Sequence, residues 1–448
     1  MHGRAWMLTS LMALAVFSPA RSATPAGKDK EYRLDGAMCA GLPRAPIGTA
    51  KGLCAGLVAA PEPDHFRQRG LRMPRSLLPM DASGRDWLVT DLGDWRPGRG
   101  VIWRLRWAPG QATQLTRLVD HLSMPHTVAK GPDGRIYVGE MSRIIRFDPD
   151  AADPAATVQP VVEGLPTNQL HDNRHPLSAF VFLPYGAMIV DVGAASDACA
   201  EPDHRSADGR CVELTGPDPR AGLRRYAYLG GGKWDQRFTV YASGLRNSVA
   251  LAVTPSGAVL QGENSIDIDD PLSPHDEINL IRPGGFYGCP YCMDAGVTTP
   301  AVAATPPMDC KGPAAIRPII LLPPHTAPIA MGWYRGSMFP QLDGKLLMTW
   351  RGYRSPGARV VAFDTGSDGL PVRKAGARYD AYVPGGGLKR VAYGVSPSAE
   401  PLVLTTRWDK LPGTRPRGAP AGMAVSPDGS IWVCDDKNGA ILRLAADR

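Results

Sequence analysis

Met124-Pro125-His126-Thr127-Val128-Ala129-Lys130-Gly131-Pro132-Asp133-Gly134-Arg135-Ile136-Tyr137-Val138-Gly139-Glu140 leads into a second apolar run, Ile144-Ile145-Arg146-Phe147. The stretch reads as an alternating strand, a tight turn ending on glycine, a β-rich strand and a closing acid. The same order of features returns at Ala421-Gly422-Met423-Ala424-Val425, with a turn at Ser426-Pro427-Asp428-Gly429. Ile431-Trp432-Val433 and Ile441-Leu442-Arg443-Leu444 then complete that copy. Four weaker copies turn at Gly84, Gly186, Gly257 and Gly344, which makes six.

The six turn glycines are spaced by 50, 52, 71, 87 and 85 residues. A four-stranded propeller blade takes about 40–50 residues, so the later units carry insertions. An isolated sheet of this kind cannot bury both faces, and closing the sheets into a ring removes that exposure. The expectation is an all-β, six-bladed β-propeller over residues 66–448, preceded by an N-terminal strap over 23–65.

Composition agrees with this fold. Gly 50 and Pro 44 make up about a fifth of the 448 residues, and 44% are hydrophobic. That is too little Gly and Pro for a disordered chain, and enough apolar residues for a large core. Length alone would suggest about three domains, but the repeats favour one ring. No apolar segment of about 18 residues exists beyond the N-terminus, so no membrane span is expected. The formal charge of +7 is not gathered into a run or stripe, so no nucleic-acid partner is assigned.

His2 and Arg4, the apolar run Trp6 to Phe17 and the small residues around Ser18-Pro19-Ala20-Arg21-Ser22 read as an export signal over 1–22. Eight cysteines suit the oxidising compartment to which it would lead, periplasmic or secreted. Cys39 with Cys54, Cys199 with Cys211, and Cys292 with Cys310 each bracket a short loop that a disulfide could close. Cys289 and Cys434 are left over. Cys289-Pro290-Tyr291-Cys292 also has redox or zinc spacing, but no second such pair exists, and Met293 stands where a c-type haem needs histidine.

His175 lies nine residues before Pro184 of its turn, and Arg246 nine before Pro255, with Asn247 beside it. Equal offsets place these residues at one height of the channel. Histidine titrates near neutrality and can serve as a general base, and the guanidinium fork of arginine suits a carboxylate. In blade four, Glu263, Asn264, Asp267, Asp269, Asp270, Asp276 and Glu277 crowd oxygen-bearing side chains into irregular chain. Calcium takes 6–8 oxygen ligands and fits such a loop, and a solvated acidic loop is the alternative.

Tyr241-Ala242-Ser243-Gly244-Leu245-Arg246-Asn247, Gly262-Glu263-Asn264, Asp276-Glu277-Ile278-Asn279 and Gly284-Gly285-Phe286-Tyr287-Gly288 resemble the soluble PQQ-dependent sugar dehydrogenases. Pro324 to Pro328 adds a likeness to the L-sorbosone dehydrogenase branch, and the resemblance spans about residues 70–445. It implies a six-bladed propeller using pyrroloquinoline quinone (PQQ) and calcium to oxidise a sugar or sugar-derived aldehyde. By the same resemblance His175 is the catalytic base, and Arg246, Asn247 and Asn264 contact cofactor or substrate. Thr326, and Arg351 in place of a lysine, would meet the cofactor's carboxylates. The carbonyls of Ser265 and Ile266 would hold its calcium, with Glu263, Asp267, Asp269, Asp270 and Asp276 as further candidate ligands.

Two positions depart from the family pattern. Ala194 stands where an aspartate supports the histidine, with Asp191 nearby as a candidate substitute. Ala419 stands where an arginine grips the cofactor, with Arg415 and Arg417 just upstream. The reading is an exported quinoprotein that passes electrons to a periplasmic acceptor. A calcium-dependent propeller lactonase and a non-catalytic ligand-binding propeller are its rivals.

Overall fold

A computed structural model describes residues 34–59, 70–166, 173–300, 307–352, 357–383, 385–408 and 418–447. Each of the six turn glycines has positive φ, between 65° and 87°, and closes the hairpin between the first two strands of a blade. Only glycine adopts that conformation without a Cβ penalty. The repeats therefore mark the innermost hairpins of six antiparallel sheets.

Blade one runs Pro74–Pro79, Asp86–Asp91, Gly100–Arg106 and Gln114–Leu122, and blade two Val128–Lys130, Ile136–Glu140, Arg143–Phe147 and Gln159–Val162. Blade three has Phe180–Leu183, Ala187–Val192, Gly222–Gly230 and Thr239–Ser243, with Gly285–Phe286 added in parallel at its edge. Blade four uses Ala250–Val253, Val259–Glu263, His275–Ile281 and Ile320–Pro324; blade five uses Pro328–Trp333, Leu346–Trp350, Arg359–Phe363 and Leu402–Val403. Blade six has Pro420–Val425, Ile431–Asp435 and Ala440–Ala446, and its outer strand is Leu53–Ala59. The expected strap is thus partly built into the ring, because its apolar run Leu53 to Ala59 completes the last sheet.

Second strands are buried on both faces, so alternate residues serve different neighbours. Trp87 and Val89 pack with Trp432 and Ile441 between blades six and one, while Leu88 packs with Val128 and Ile136 between blades one and two. Four more buried clusters fill the other gaps between adjacent blades, from Tyr137 with Phe180 round to Leu347 with Ile431. Six interfaces mean a closed ring. Trp87 stacks on Trp432 with centroids 4.3 Å apart, fastening the seam.

The insertions lie on blades three to five. Residues 193–221 of blade three contain the Cys199–Cys211 disulfide, and blade four's excursion contains Cys292–Cys310. Cys39–Cys54 ties the strap to its own strand, while Cys289 and Cys434 are free thiols. Among the described residues no helix is long and apolar enough to cross a membrane. The candidate signal 1–22, residues 23–33 and 60–65 of the expected strap, residues 66–69 of the expected propeller, and Arg415 and Arg417 lie outside the described residues.

Candidate active site

The loops that enter the innermost strands of blades three, four and five meet above the channel around a cavity of about 620 Å³. That is within the range of small-molecule sites. His175, Arg246, Asn247, Asn264 and Arg351 line it, with Ser265, Asp267, Asp269 and Asp276 along one wall. Below, the innermost strands of all six blades enclose a second space of about 180 Å³ that contains Arg75 and His126.

His175 is buried, and its Nδ1 lies 2.8 Å from the Ala194 carbonyl oxygen. A carbonyl only accepts, so Nδ1 carries the proton and Nε2 keeps its lone pair. Burial pushes the imidazole well below its ordinary range, and the positive charge of Arg246 adds to this. A neutral ring with one fixed tautomer results. Gly193 makes the close approach possible, since a Cβ there would sit 2.5 Å from His175 Cβ.

Asp191 does not orient this histidine: its Oδ1 accepts the Ser248 N–H at 3.4 Å, and Oδ2 has no partner among the described residues. Burial, then the neighbouring Glu263, raises its carboxyl well above the usual carboxylate range. The supporting group at Ala194 is the backbone itself.

Arg246 is fully engaged. Its Nε donates to the Asp197 carbonyl and carboxylate at 3.0 and 2.9 Å, a terminal nitrogen also pairs with that carboxylate, and another reaches the Asn264 carbonyl at 3.0 Å. Asp267 adds a longer contact of 3.2 Å. The Arg246 and Asn247 backbone N–H groups donate to Glu263 Oε1 at 2.5 and 3.3 Å. Asn264 Nδ2 donates to the Pro328 carbonyl at 2.9 Å and so fastens blade four to blade five.

These contacts recast the acidic cluster. Glu263 holds the loop entering its blade, as Asp91, Glu140 and Asp435 do at the matching position of blades one, two and six. Its carboxyl, buried among neutral donors, is pushed up to about 7. Asp276 accepts from Ser265 N–H at 2.9 Å, Thr326 Oγ1 at 2.9 Å and Ala327 N–H at 2.7 Å, so Thr326 lies behind the wall with its hydroxyl already used. Ile266 faces a small pocket behind the cavity, and Asp270 is exposed, its carbonyl 2.6 Å from His325 Nε2. Among the described residues no three of these acidic side chains bring ligand atoms within 4.8 Å of one another. The one such group, Cys199, Cys211 and Glu213, has its sulfurs spent on a disulfide.

Arg351 Nε pairs with Asp436 at 2.6 Å, and Asp436 also pairs with the fully buried Arg75. Sequence reasoning missed Asp197, Asp436, Arg174 and His325. Arg174 and His325 line the cavity; Arg174 adjoins His175, and His325 lies within the Pro324 to Pro328 segment already singled out. Asp197 and Asp436 carried no local signal, since both act across blades.

A family model described as Glucose / Sorbosone dehydrogenase matches residues 139–364, just over half of the chain. No curated protein matches in sequence. Among solved structures, a Trichoderma reesei carbohydrate-active enzyme of Family AA12 is similar at 18% identity and TM-score 0.65, over 92% of this chain and 100% of that one. The PQQ domain of a Coprinopsis cinerea pyranose dehydrogenase, in holo form, aligns at 20% identity and TM-score 0.61, over 91% and 99%. The PQQ-bound aldose sugar dehydrogenase of Streptomyces coelicolor aligns at 16% identity and TM-score 0.53, over 89% and 100%. At these identities the likeness is one of fold.

Proposed function

The chain belongs to the glucose/sorbosone dehydrogenase family, and from that premise we propose that it is a PQQ-dependent dehydrogenase of a sugar or sugar-derived aldehyde. The observation that carries the reading is His175: buried, neutral, fixed as the Nδ1–H tautomer, and lining a cavity rich in cationic and amide donors. Two of the similar folds are named for the quinone.

The donor set suits a planar anion bearing several carboxylates. Arg246 and Arg351 would face its charge and Asn247 would reach its carbonyl oxygens, whereas the Asn264 amide nitrogen is already donated to the Asn247 and Pro328 carbonyls. Bound there, the quinone supplies the two-electron acceptor that protein side chains lack. His175 Nε2 would accept the proton of the substrate hydroxyl as the carbon bearing that hydroxyl gives up its hydride to the two-electron acceptor.

Calcium belongs to this reading through the main-chain carbonyls of Ser265 and Ile266, since the acidic side chains around them are spent elsewhere. Three disulfides favour an exported chain, periplasmic or secreted, with a small redox partner there as electron acceptor.

Reconstitution of the purified chain with PQQ and calcium, followed by dye-linked oxidation of an aldose and aldehyde panel, tests the proposal. Turnover that requires the quinone is expected. Lactone hydrolysis without quinone would instead favour a lactonase, and bound PQQ without oxidation of any substrate would favour a binding propeller.

A further inference from the structure

We infer that Glu213, in the disulfide-closed insert of blade three, is a positioning residue for His175, acting through the main chain of residues 194–197. The inference rests on the dehydrogenase reading only for its consequence in turnover; its geometric content stands separately.

The carbonyl that fixes His175 belongs to Ala194, and the peptides on either side of that carbonyl are clamped from the insert. Glu213 accepts the Ala195 N–H at 2.6 Å, the Ser196 N–H at 3.2 Å and the Ser196 hydroxyl at 2.5 Å. His204 Nδ1 lies 2.9 Å from the same carboxylate. On the other side Arg220 Nε donates to the Gly193 carbonyl at 3.1 Å, and another of its nitrogens donates to Asn173 Oδ1 at 2.6 Å. Glu213's own carbonyl accepts the Arg220 N–H at 2.6 Å, joining the two clamps. The Ala194 N–H donates to the Arg246 carbonyl at 2.8 Å. Peptides 193 to 196 therefore have almost no freedom to turn.

The insert is itself anchored. Cys199–Cys211 closes it, and the Cys211 N–H donates to the Tyr291 hydroxyl at 2.8 Å. Glu213 is buried and follows Cys211 by two residues, so the disulfide sets where its carboxylate stands. One residue beyond the clamp, Asp197 pairs with Arg246. A single buried carboxylate thus fixes the acceptor for His175 and the counter-charge for Arg246. A carboxylate beside the imidazole would make its ring more basic by direct charge; this arrangement sets the tautomer with a neutral carbonyl instead.

The test is Glu213→Gln, in which an amide N–H₂ replaces one of two oxygens that face N–H and O–H donors. Nitrogen-15 NMR of ring-labelled histidine in the purified full chain reads the His175 tautomer directly, with Arg174, Arg220 and Arg246 left in place around the ring. Wild type should show the Nδ1–H form alone, and the variant a mixture. With quinone loaded, kcat should fall about ten- to hundredfold, the usual range for losing an outer-shell partner, with KM nearly unchanged. A variant that keeps the single Nδ1–H tautomer overturns the proposal, whatever its melting temperature. Should Glu213→Gln not fold, Ser196→Ala removes one of the clamp's bonds and is read the same way, with a smaller shift expected. Failure of wild type to oxidise any sugar would count against the dehydrogenase reading and leave the tautomer comparison intact.

Discussion

Two buried histidines, one blade apart, show what separates a reactive ring from a structural one. His126 and His175 each stand where the chain enters an innermost strand, and each is pushed well below its ordinary range by burial first and an arginine second. Their tautomers are opposite. Arg75 Nε donates toward His126 Nδ1 at 3.5 Å, and the other ring nitrogen donates to the Val249 carbonyl, so both nitrogens are used. His175 uses Nδ1 alone and keeps a lone pair in a cavity more than three times larger. The arginines differ likewise: Arg75 and Asp436 are sealed from solvent, whereas Asp197 beside Arg246 is partly exposed. Burial and a lowered basicity are common to both rings, so neither marks a base. The spare lone pair does.

The sharpest way to break this contrast is to remove each ring in turn. His175→Ala should lower quinone-dependent turnover about 10²–10⁴-fold with the quinone still bound, the range for losing a general base. His126→Gln should change turnover by less than about tenfold and be felt mainly as lost stability. Parallel steady-state kinetics and quinone titrations decide between them, and equal losses in turnover would end the distinction.

The arginine–aspartate pairs come next. Asp436→Ala leaves the buried Arg75 without its counter-charge and facing the part-buried Arg351, and should cost about 3–5 kcal/mol in denaturant unfolding. Asp197→Ala should cost less than that, because its carboxylate is partly wet and Asp267 stays beside Arg246, and should show mainly in quinone affinity.

The acids that close the second strands sharpen the comparison further. Glu140 pairs with Arg143 at 2.6 Å, whereas Glu263 is buried against amide and backbone donors. Folded Glu263 holds its proton to about 7 and the unfolded chain releases it near 4.5. The stability it contributes is therefore full below about pH 4.5 and lost as pH rises through 7, by up to about 3 kcal/mol. Asp191 and Glu277, raised well above the usual range by burial, push the same way. Melts of the quinone-free chain at pH 5 and pH 8 should fall with pH, and Glu263→Gln should flatten the slope.

Asp191→Asn should do least. Its carboxyl accepts from the Ser248 N–H rather than holding the His175 ring, and an amide keeps its shape, so turnover should change by less than about twofold. A larger drop would return Asp191 to the histidine's support.

The ring was legible because its marks are local. A glycine with positive φ must be written as glycine, and alternating apolar residues report both faces of a strand. The three short disulfide loops were legible for the same reason, as were His175, Arg246 and Asn247, which share a register. What escaped acts through atoms with no letter of their own or across long separations. Ala194 contributes a backbone carbonyl, which its side chain cannot announce, and Glu213 works through peptide N–H groups. Glu263 and Asp276 carried a real signal that pointed two ways. An acid at the end of a second strand recurs as a loop holder, but in blade four the crowding of oxygens read equally well as a calcium loop. The strand Leu53–Ala59 reads as strap because its partner, Ala440–Ala446, lies almost four hundred residues away in the sequence.

That last pairing governs the order in which the molecule can be made. Leu53 to Ala59 hydrogen-bonds with Ala440–Ala446, and Arg44 pairs with Asp447 at 2.7 Å, so the sixth sheet needs both extremes of the described chain at once. Until the final strand emerges, the first waits with its apolar edge open, and the Trp87–Trp432 seam cannot form. Pairings over such separations form late and slowly. Two strands some 380 residues apart act as a latch that closes only when both are present.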